Sequence, residues 1–191
     1  MKVGVLGLQG DVREHVRAIE ATGATPVVIK HAEAIDDVDA LILPGGESTT
    51  IGKLLDRFGM LEPLKERVQQ GMPLYGTCAG LILMARDVVG SQPAPHRLGV
   101  LDVAVKRNAY GRQVDSFEAD LDITGMDTPF RAVFIRAPAI DEVGDDVEVL
   151  ARVDGAPVMV RQGSLLASSF HPEMTSDPRV HSLFVEMVER R

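Results

Sequence analysis

Three short segments of this 191-residue chain hold residue types that can do chemistry. The first carries the only cysteine, Cys78, inside Gly76-Thr77-Cys78-Ala79-Gly80. Met72-Pro73-Leu74-Tyr75 before it reads as a short buried strand, and Leu81-Ile82-Leu83-Met84 after it as the start of an apolar helix. Glycine two residues to either side lets the backbone turn sharply and lets the helix pack close to its strand. A thiol at that corner meets a helix N-terminus, whose unpaired N–H groups and dipole favour an anionic sulfur. A free cysteine is otherwise most often a small buried hydrophobe. Choosing between the two readings requires a base.

His171-Pro172-Glu173 supplies one. Proline at 172 biases His171 toward extended geometry, and residues two apart on an extended segment point the same way. His171 and Glu173 are therefore expected to share a face, with the carboxylate orienting and polarising the imidazole. Nucleophile, base and orienter form a triad. Standing alone, the motif would read as a surface turn. His15 and His181 fall on predicted helices and His31 and His96 in predicted loops, so His171 is the selected base.

The third segment, Pro44-Gly45-Gly46-Glu47-Ser48-Thr49, lies between a strand and a helix. Consecutive glycines let backbone N–H groups converge on an anion or a developing oxyanion, and the N–H of Ala79 is the natural second donor. A phosphate loop does not fit. Five residues separate Gly46 from Gly52, and Leu54 stands where Ser or Thr is needed. Gly4, Gly7 and Gly10 likewise miss the dinucleotide spacing. One cysteine and scattered histidines offer no spaced metal ligands. Arg107 and Arg136 can each pair a substrate carboxylate bidentately, or each can be a solvated arginine near a turn.

The elements that must position these residues alternate at first. Strands are expected at Val3 to Leu8, Thr25 to Ile29 and Ala40 to Leu43, the first a continuous apolar run. Asp11 is expected to cap a helix with Glu14 completing a box, Val12, Val16 and Ile19 as its stripe, and Gly23 as its stop. Helices follow over Thr50 to Phe58 and Leu61 to Gln70. Beyond the cysteine helix come strands at Val100 to Val105, Val114 to Leu121, Ala132 to Ile135, Val147 to Val153, Val158 to Arg161 and Leu165 to Phe170. Asp154-Gly155 and Gln162-Gly163 are hairpin turns between the last three. Asp177 and Pro178 open a final helix with Val180, Leu183, Phe184, Met187 and Val188 as its stripe. Gly90 to His96 reads as a flexible loop. The pattern predicts a three-layer α/β domain with a mixed, mainly parallel central sheet, a single domain over 1–191. Ligands in such sheets bind beyond the strands' carboxyl ends, where Gly46, Cys78 and His171 would meet.

Composition narrows the setting. A net charge of −8 with no basic cluster argues against nucleic acid. A single cysteine excludes an intrachain disulfide framework and suggests a cytoplasmic location. No apolar run approaches the ~20 residues that span a bilayer, and the apolar start lacks a cleavage region.

With these pieces in place, the chain resembles the class I (triad) glutamine amidotransferases, and within them the PdxT family, the glutaminase subunits of pyridoxal 5'-phosphate synthase. The resemblance covers nearly the whole chain. It rests on Gly7-Leu8-Gln9-Gly10-Asp11, Pro44 to Thr49, Arg107-Asn108-Ala109-Tyr110-Gly111-Arg112-Gln113, Phe134-Ile135-Arg136-Ala137-Pro138 and Ser169-Phe170-His171-Pro172-Glu173. Met174 departs from an expected leucine, a conservative change. The resemblance implies a flavodoxin-like domain and a Cys78, His171, Glu173 triad with oxyanion donors at Gly46 and Ala79. It places L-glutamine against Gly46, Glu47, Ser48, Arg107, Ile135 and Arg136. It also implies ammonia passed to a PdxS-type synthase subunit in a hetero-oligomeric complex, with low activity until that partner docks. A rearranged Gly45–Gly46 peptide is one route to such activation. The coenzyme is the assembly's product, so no cofactor and no metal are expected here. A glutaminase of another synthase, such as the imidazole glycerol phosphate enzyme, shares the triad but not the first and third segments. A DJ-1-type cysteine hydrolase lacks the late His-Pro-Glu. A catalytically silent binding subunit has no need of an intact triad.

Overall fold

The computed structural model describes residues 1–90, 96–107 and 116–191. The chain runs through β1 (Lys2–Leu6), α1 (Val12–Ala21), β2 (Thr25–Ile29), β3 (Ala40–Leu43), α2 (Ser48–Arg57), α3 (Leu61–Gln69), β4 (Leu74–Thr77) and α4 (Ala79–Met84). It continues through β5 (Ala85–Val89), β6 (Leu101–Lys106), β7 (Ser116–Leu121), β8 (Phe130–Ile135) and β9 (Ala139–Val143). The last elements are β10 (Glu148–Val153), β11 (Ala156–Gln162), β12 (Leu165–Ser168) and α5 (Arg179–Glu189). Short 3-10 turns cover Ala32–Asp37 and Pro172–Met174.

A seven-stranded sheet in the order β10-β11-β12-β4-β3-β1-β2 forms the centre. Its members from β12 to β2 are parallel, and β10, β11 and β12 are joined antiparallel. The interior parallel strands β3, β4 and β12 are buried at every position because helices or smaller sheets cover both faces. Side chains still alternate. Leu41 and Leu43 face a layer with Ile51, Leu64, Leu81 and Val103, from α2, α3, α4 and β6. Ala40 and Ile42 face Ile19 of α1, Phe130 and Phe134 of β8, and Val180 and Phe184 of α5. Shifting a strand by one residue would exchange these two sets, so the register is strongly specified. The remaining strands form a β5-β6-β9 sheet and a β7-β8 pair.

The α/β class, the mixed sheet and the positions of β2, β3, α2 and α3 agree with the expectations from sequence. Several local expectations need correction. The Asp11–Glu14 capping box does not form: the Asp11 side chain makes no capping bond, and Glu14 pairs with Arg13 at 3.0 Å. The helix after Cys78 lasts only from Ala79 to Met84, and the chain then enters β5, an unanticipated edge strand paired to β6. β9 was also unforeseen. It follows Pro138 and has only one fully apolar inward position, Ile140, so its alternation is faint. The second hairpin turn falls at Gly163-Ser164, since Gln162 already pairs with Leu165. The Asn108 to Gln113 part of the arginine-rich segment, Val114 at the start of one expected strand, and 91–95 of the proline-containing loop lie outside the described residues.

Two glycines set how closely α4 approaches the sheet. A Cβ on Gly80 would run into the Leu43 carbonyl, and one on Gly76 would run into Gly80 and Met84. Gly80→Ala is therefore expected to lower stability by about 1–3 kcal/mol, the usual effect of overpacking against backbone. Urea denaturation checks this, and an unchanged midpoint would mean that α4 has room to move.

Candidate active site

The carboxyl ends of β1, β3, β4 and β12 are neighbours in the sheet, and the loops leaving them meet around a cavity of about 380 Å³. Cys78, Ala79, Gly46, Glu47, Ser48 and His171 line it, and so do Arg107, Ile135 and Arg136. Every site residue expected from sequence thus borders the cavity except Glu173, which lies buried behind His171.

Cys78 occupies a backbone conformation that L-residues rarely adopt, with φ 48° and ψ −98°. It is held there from both sides. Its N–H donates to the Ser168 carbonyl at 2.8 Å, and its own carbonyl accepts from Ile82 N–H at 3.3 Å. Sγ sits 3.9 Å from the Ile135 carbonyl oxygen. This is the tight strand-to-helix corner expected for a nucleophile.

His171 follows β12, and its N–H donates to the Val133 carbonyl of β8 at 2.8 Å. Its Nδ1 lies 2.7 Å from Glu173 Oε1. The expected contact is present, but its cause differs from the one inferred. Pro172–Met174 forms a 3-10 turn, so Glu173 curls back onto the ring instead of sharing a face along an extended strand. Asp11 Oδ2 approaches the same Nδ1 at 3.5 Å. A Cβ on Gly45 would strike the imidazole, so only glycine allows the loop to press against it.

The electrostatics follow from this packing. Burial by itself opposes an imidazolium at His171. Asp11, Cys78 and Glu173 more than offset it, and the ring is pushed up to about 12. Burial raises Glu173 above the usual carboxylate range while the hydrogen bond from His171 works against that rise. The pair therefore holds a charged imidazole against a desolvated carboxylate.

The Gly45–Gly46 loop is tied to the loop after β1. Asp11 N–H donates to the Gly45 carbonyl at 3.2 Å, and Glu47 N–H donates to Gln9 Oε1 at 2.9 Å. The Glu47 carboxylate is fully engaged. It caps α2 through Thr49 and Thr50 N–H at 3.0 and 2.7 Å, accepts from the Thr50 hydroxyl at 2.6 Å, and pairs with Arg107 at 3.1 Å. Arg107 also donates to Thr49 Oγ1 at 3.1 Å. Arg136, just past β8 with φ 44°, makes no hydrogen bond or ion pair among the described residues.

Sequence reasoning missed Gln9 and Asp11 as cavity residues, although both lie in a segment it singled out. It also placed His15 and His181 on helices without noticing their surroundings. Both are buried, with His15 Nε2 3.5 Å from Glu173 Oε1 and 3.1 Å from Thr77 Oγ1. Only the fold could bring α1 and α5 together there.

Asp11, His171 and Glu173 each bring one possible ligand atom within 4.8 Å of the others. His171 Nδ1 lies 2.7 Å from Glu173 and 3.5 Å from Asp11, and in the charged ring that nitrogen carries a proton and has no lone pair to offer an ion. Among the described residues no helix is long and apolar enough to cross a membrane.

Residues 5–190 match the model of the SNO glutamine amidotransferase family. The chain is 60% identical over 188 residues to a pyridoxal 5'-phosphate synthase subunit PdxT of Frankia casuarinae, covering 98% of this chain and 94% of that protein. A PdxT subunit of Bacillus velezensis is 57% identical over 190 residues, covering 100% and 96%. A crystal structure described as a glutamine amidotransferase superposes with a TM-score of 0.94 at 52% identity, covering 98% of each chain.

Glu47 provides a test of the loop's electrostatics. Partial burial would raise its carboxyl, but the Thr50 hydroxyl and the Thr49 and Thr50 N–H groups outweigh this and hold it at about 2, below the ordinary 4.5. A depressed folded value stabilises the fold fully above pH 4.5 and loses that contribution as pH falls through about 2. Glu47→Gln should therefore flatten the fall in unfolding free energy across that window, measured by denaturant titration at a series of pH values. Parallel profiles for the two proteins would contradict it.

Proposed function

The chain belongs to the SNO glutamine amidotransferase family, and we propose that Cys78, His171 and Glu173 are the triad with which it hydrolyses L-glutamine. The observation that carries this reading is the 2.7 Å contact between His171 and Glu173 beside Cys78, on a cavity at the sheet's carboxyl edge. We read residues 1–191 as one glutaminase domain working in the cytoplasm. Its ammonia passes to a PdxS-type synthase subunit for pyridoxal 5'-phosphate synthesis.

The chemistry follows from the roles of the groups. Cys78 sulfur attacks the side-chain amide carbon, and the N–H groups of Gly46 and Ala79 take the tetrahedral oxyanion. His171 gives its proton to the departing nitrogen as the carbon–nitrogen bond breaks. Cys78 is one of the groups that favour the charged ring, and attack consumes that partner. The imidazolium thus becomes a stronger acid at the step where ammonia must leave. The neutral ring then takes a proton from water, whose oxygen attacks the thioester; the carbon–sulfur bond breaks, releasing glutamate and restoring the Cys78 thiolate beside the imidazolium. Glu173 stays ionised throughout and keeps Nδ1–H pointed at itself, leaving Nε2 for the proton transfers.

Arg136 is the better candidate for the substrate's α-carboxylate, because Arg107 is already committed to Glu47 and Thr49. Glu47 acts through the cap and through Arg107, with no free carboxylate oxygen in this arrangement. Ser48 and Ile135 complete the wall around the substrate chain.

Mixing the chain with a PdxS-type synthase, glutamine and both sugar phosphates should give coenzyme. Cys78→Ala should bind that partner normally yet abolish synthesis from glutamine while leaving synthesis from ammonium salt intact. Coenzyme formation from ammonium salt but none from glutamine with the unaltered chain would refute the role. Arg136→Ala should raise KM for glutamine by about tenfold with a smaller effect on kcat, the signature of lost substrate binding. A raised kcat deficit at constant KM would assign Arg136 to the chemical step instead.

A further inference from the structure

Behind the His171–Glu173 pair, on the side away from the cavity, lies a polar chain that the hydrolysis described above does not use. His15 on α1 is fully buried, with Nε2 at 3.1 Å from Thr77 Oγ1 and 3.5 Å from Glu173 Oε1. Its Nδ1 lies 3.0 Å from Nε2 of His181 on α5, which is also buried. Buried polar side chains are costly unless paired, so such a chain calls for an explanation.

Burial, with the nearby His181 and His171, holds His15 well below its ordinary value, and burial holds His181 at about 4. At neutral pH each ring therefore carries a single N–H, and one of the two donates to the other. If the His15 proton sat on Nδ1, its Nε2 lone pair would face the Glu173 carboxylate. His181 would then accept through Nε2 and leave an N–H at its Nδ1, an atom with no partner. Orphaned buried N–H groups are rare, whereas an unpartnered acceptor is better tolerated. The alternative leaves only a lone pair, at His181 Nδ1, without a partner among the described residues. His181 Nε2–H donates to His15 Nδ1, and His15 Nε2–H faces Thr77 and Glu173.

We propose that His15 is a positioning residue for Glu173, a neutral imidazole fixed by His181 as the Nε2–H tautomer, whose N–H helps keep the carboxylate ionised and aimed at His171. This rests on the reading of Cys78, His171 and Glu173 as the glutaminase triad. A neutral donor suits the task, because it stabilises the anion without competing with His171 as a second cation. Glu173 Oε2 has no partner among the described residues; Oε1 is hydrogen-bonded to His171 at 2.7 Å, and His15 Nε2, bonded to Thr77 at 3.1 Å, faces it at 3.5 Å. The other ionisable groups around the pair are Asp11 from the loop after β1, Tyr75 of β4, Cys78, and His181 of α5. With the His15 donor gone, burial and the Asp11 charge both push the Glu173–His171 pair toward taking up a proton.

Two variants separate positioning from packing. Asn at position 15 ends near the place of Nδ1, so it keeps a partner for His181 but does not reach Glu173. Gln carries its amide nitrogen near the place of Nε2. Glutamate release by the chain assembled with its synthase partner is measured against glutamine and pH. His15→Asn should lower kcat about threefold, less than the loss of one full hydrogen bond because the N–H is shared with Thr77, with KM unchanged and the acid limb of the kcat profile moved to higher pH. His15→Gln should restore both. Native kcat and pH profile in His15→Asn, whatever its thermal stability, would make His15 a packing residue and overturn the proposal. A Gln variant as slow as the Asn variant would do the same. Nitrogen-15 histidine NMR of the unaltered chain is independent of how the variants fold. A neutral Nε2–H signal for His15 is expected, and an Nδ1–H tautomer contradicts the assignment. Cys78→Ala runs alongside: glutamine hydrolysis surviving there removes the triad reading itself, and with it the role of His15. Its loss beside a native His15→Asn removes only the latter.

Discussion

The role proposed for Glu173, orienting a catalytic base, requires a charged carboxylate, yet in this fold it sits where solvent does not reach. The Glu173 side chain has no exposed surface, and its charge is compensated at one oxygen by the imidazole 2.7 Å away. Isolated in an apolar interior such a group would take up a proton. Its ionisation therefore depends on what holds His171 in place, the Val133 carbonyl on β8 and the Gly45 backbone pressed against the ring, and it is opposed by the Asp11 charge. Water exclusion also strengthens each of these contacts.

The sheet determines which groups can meet. β12 and β4 pair in parallel with Ser168 opposite Thr77, so Cys78 leaves one strand where His171 soon leaves the next. The Ser168 carbonyl accepts from Cys78 N–H, and this backbone bond links the two strand ends directly. β3, on the other side of β4, delivers Gly45 and Gly46. Slipping β12 by one residue would turn its side chains over and separate Cys78 from His171. The apolar packing on both faces, which specifies that register, is thus also what aligns the groups of the proposed triad.

Much of this was legible in the residues. The bounds of β2 and β3 were legible to the residue, the apolar run from Val3 overshot the end of β1 at Leu6, and the glycines around Cys78 marked the corner. The Asp154-Gly155 pair marked a hairpin, with both residues at positive φ. What was hidden depends on contacts between distant segments. Asp11 reads as a helix cap because its neighbours are helical, but the loop carries its carboxylate to His171. His15 and His181 read as ordinary helical histidines, since nothing local says that α1 and α5 converge on Glu173. The 3-10 turn at Pro172 gave the right partner for the wrong geometric reason. β5 and β9 lacked strong alternation because they belong to the small sheet beside the main one.

The central claim is that one sulfur carries all the glutamine chemistry, with His171 as its base. An irreversible glutamine-analogue reagent applied to the assembled complex tests it most directly, with the labelled residue identified by mass spectrometry as ammonia release is followed. The expected result is a label on Cys78 whose extent tracks the loss of glutamine-dependent ammonia release, while ammonium-dependent synthesis continues. Undiminished glutamine hydrolysis after complete labelling of Cys78 would contradict it.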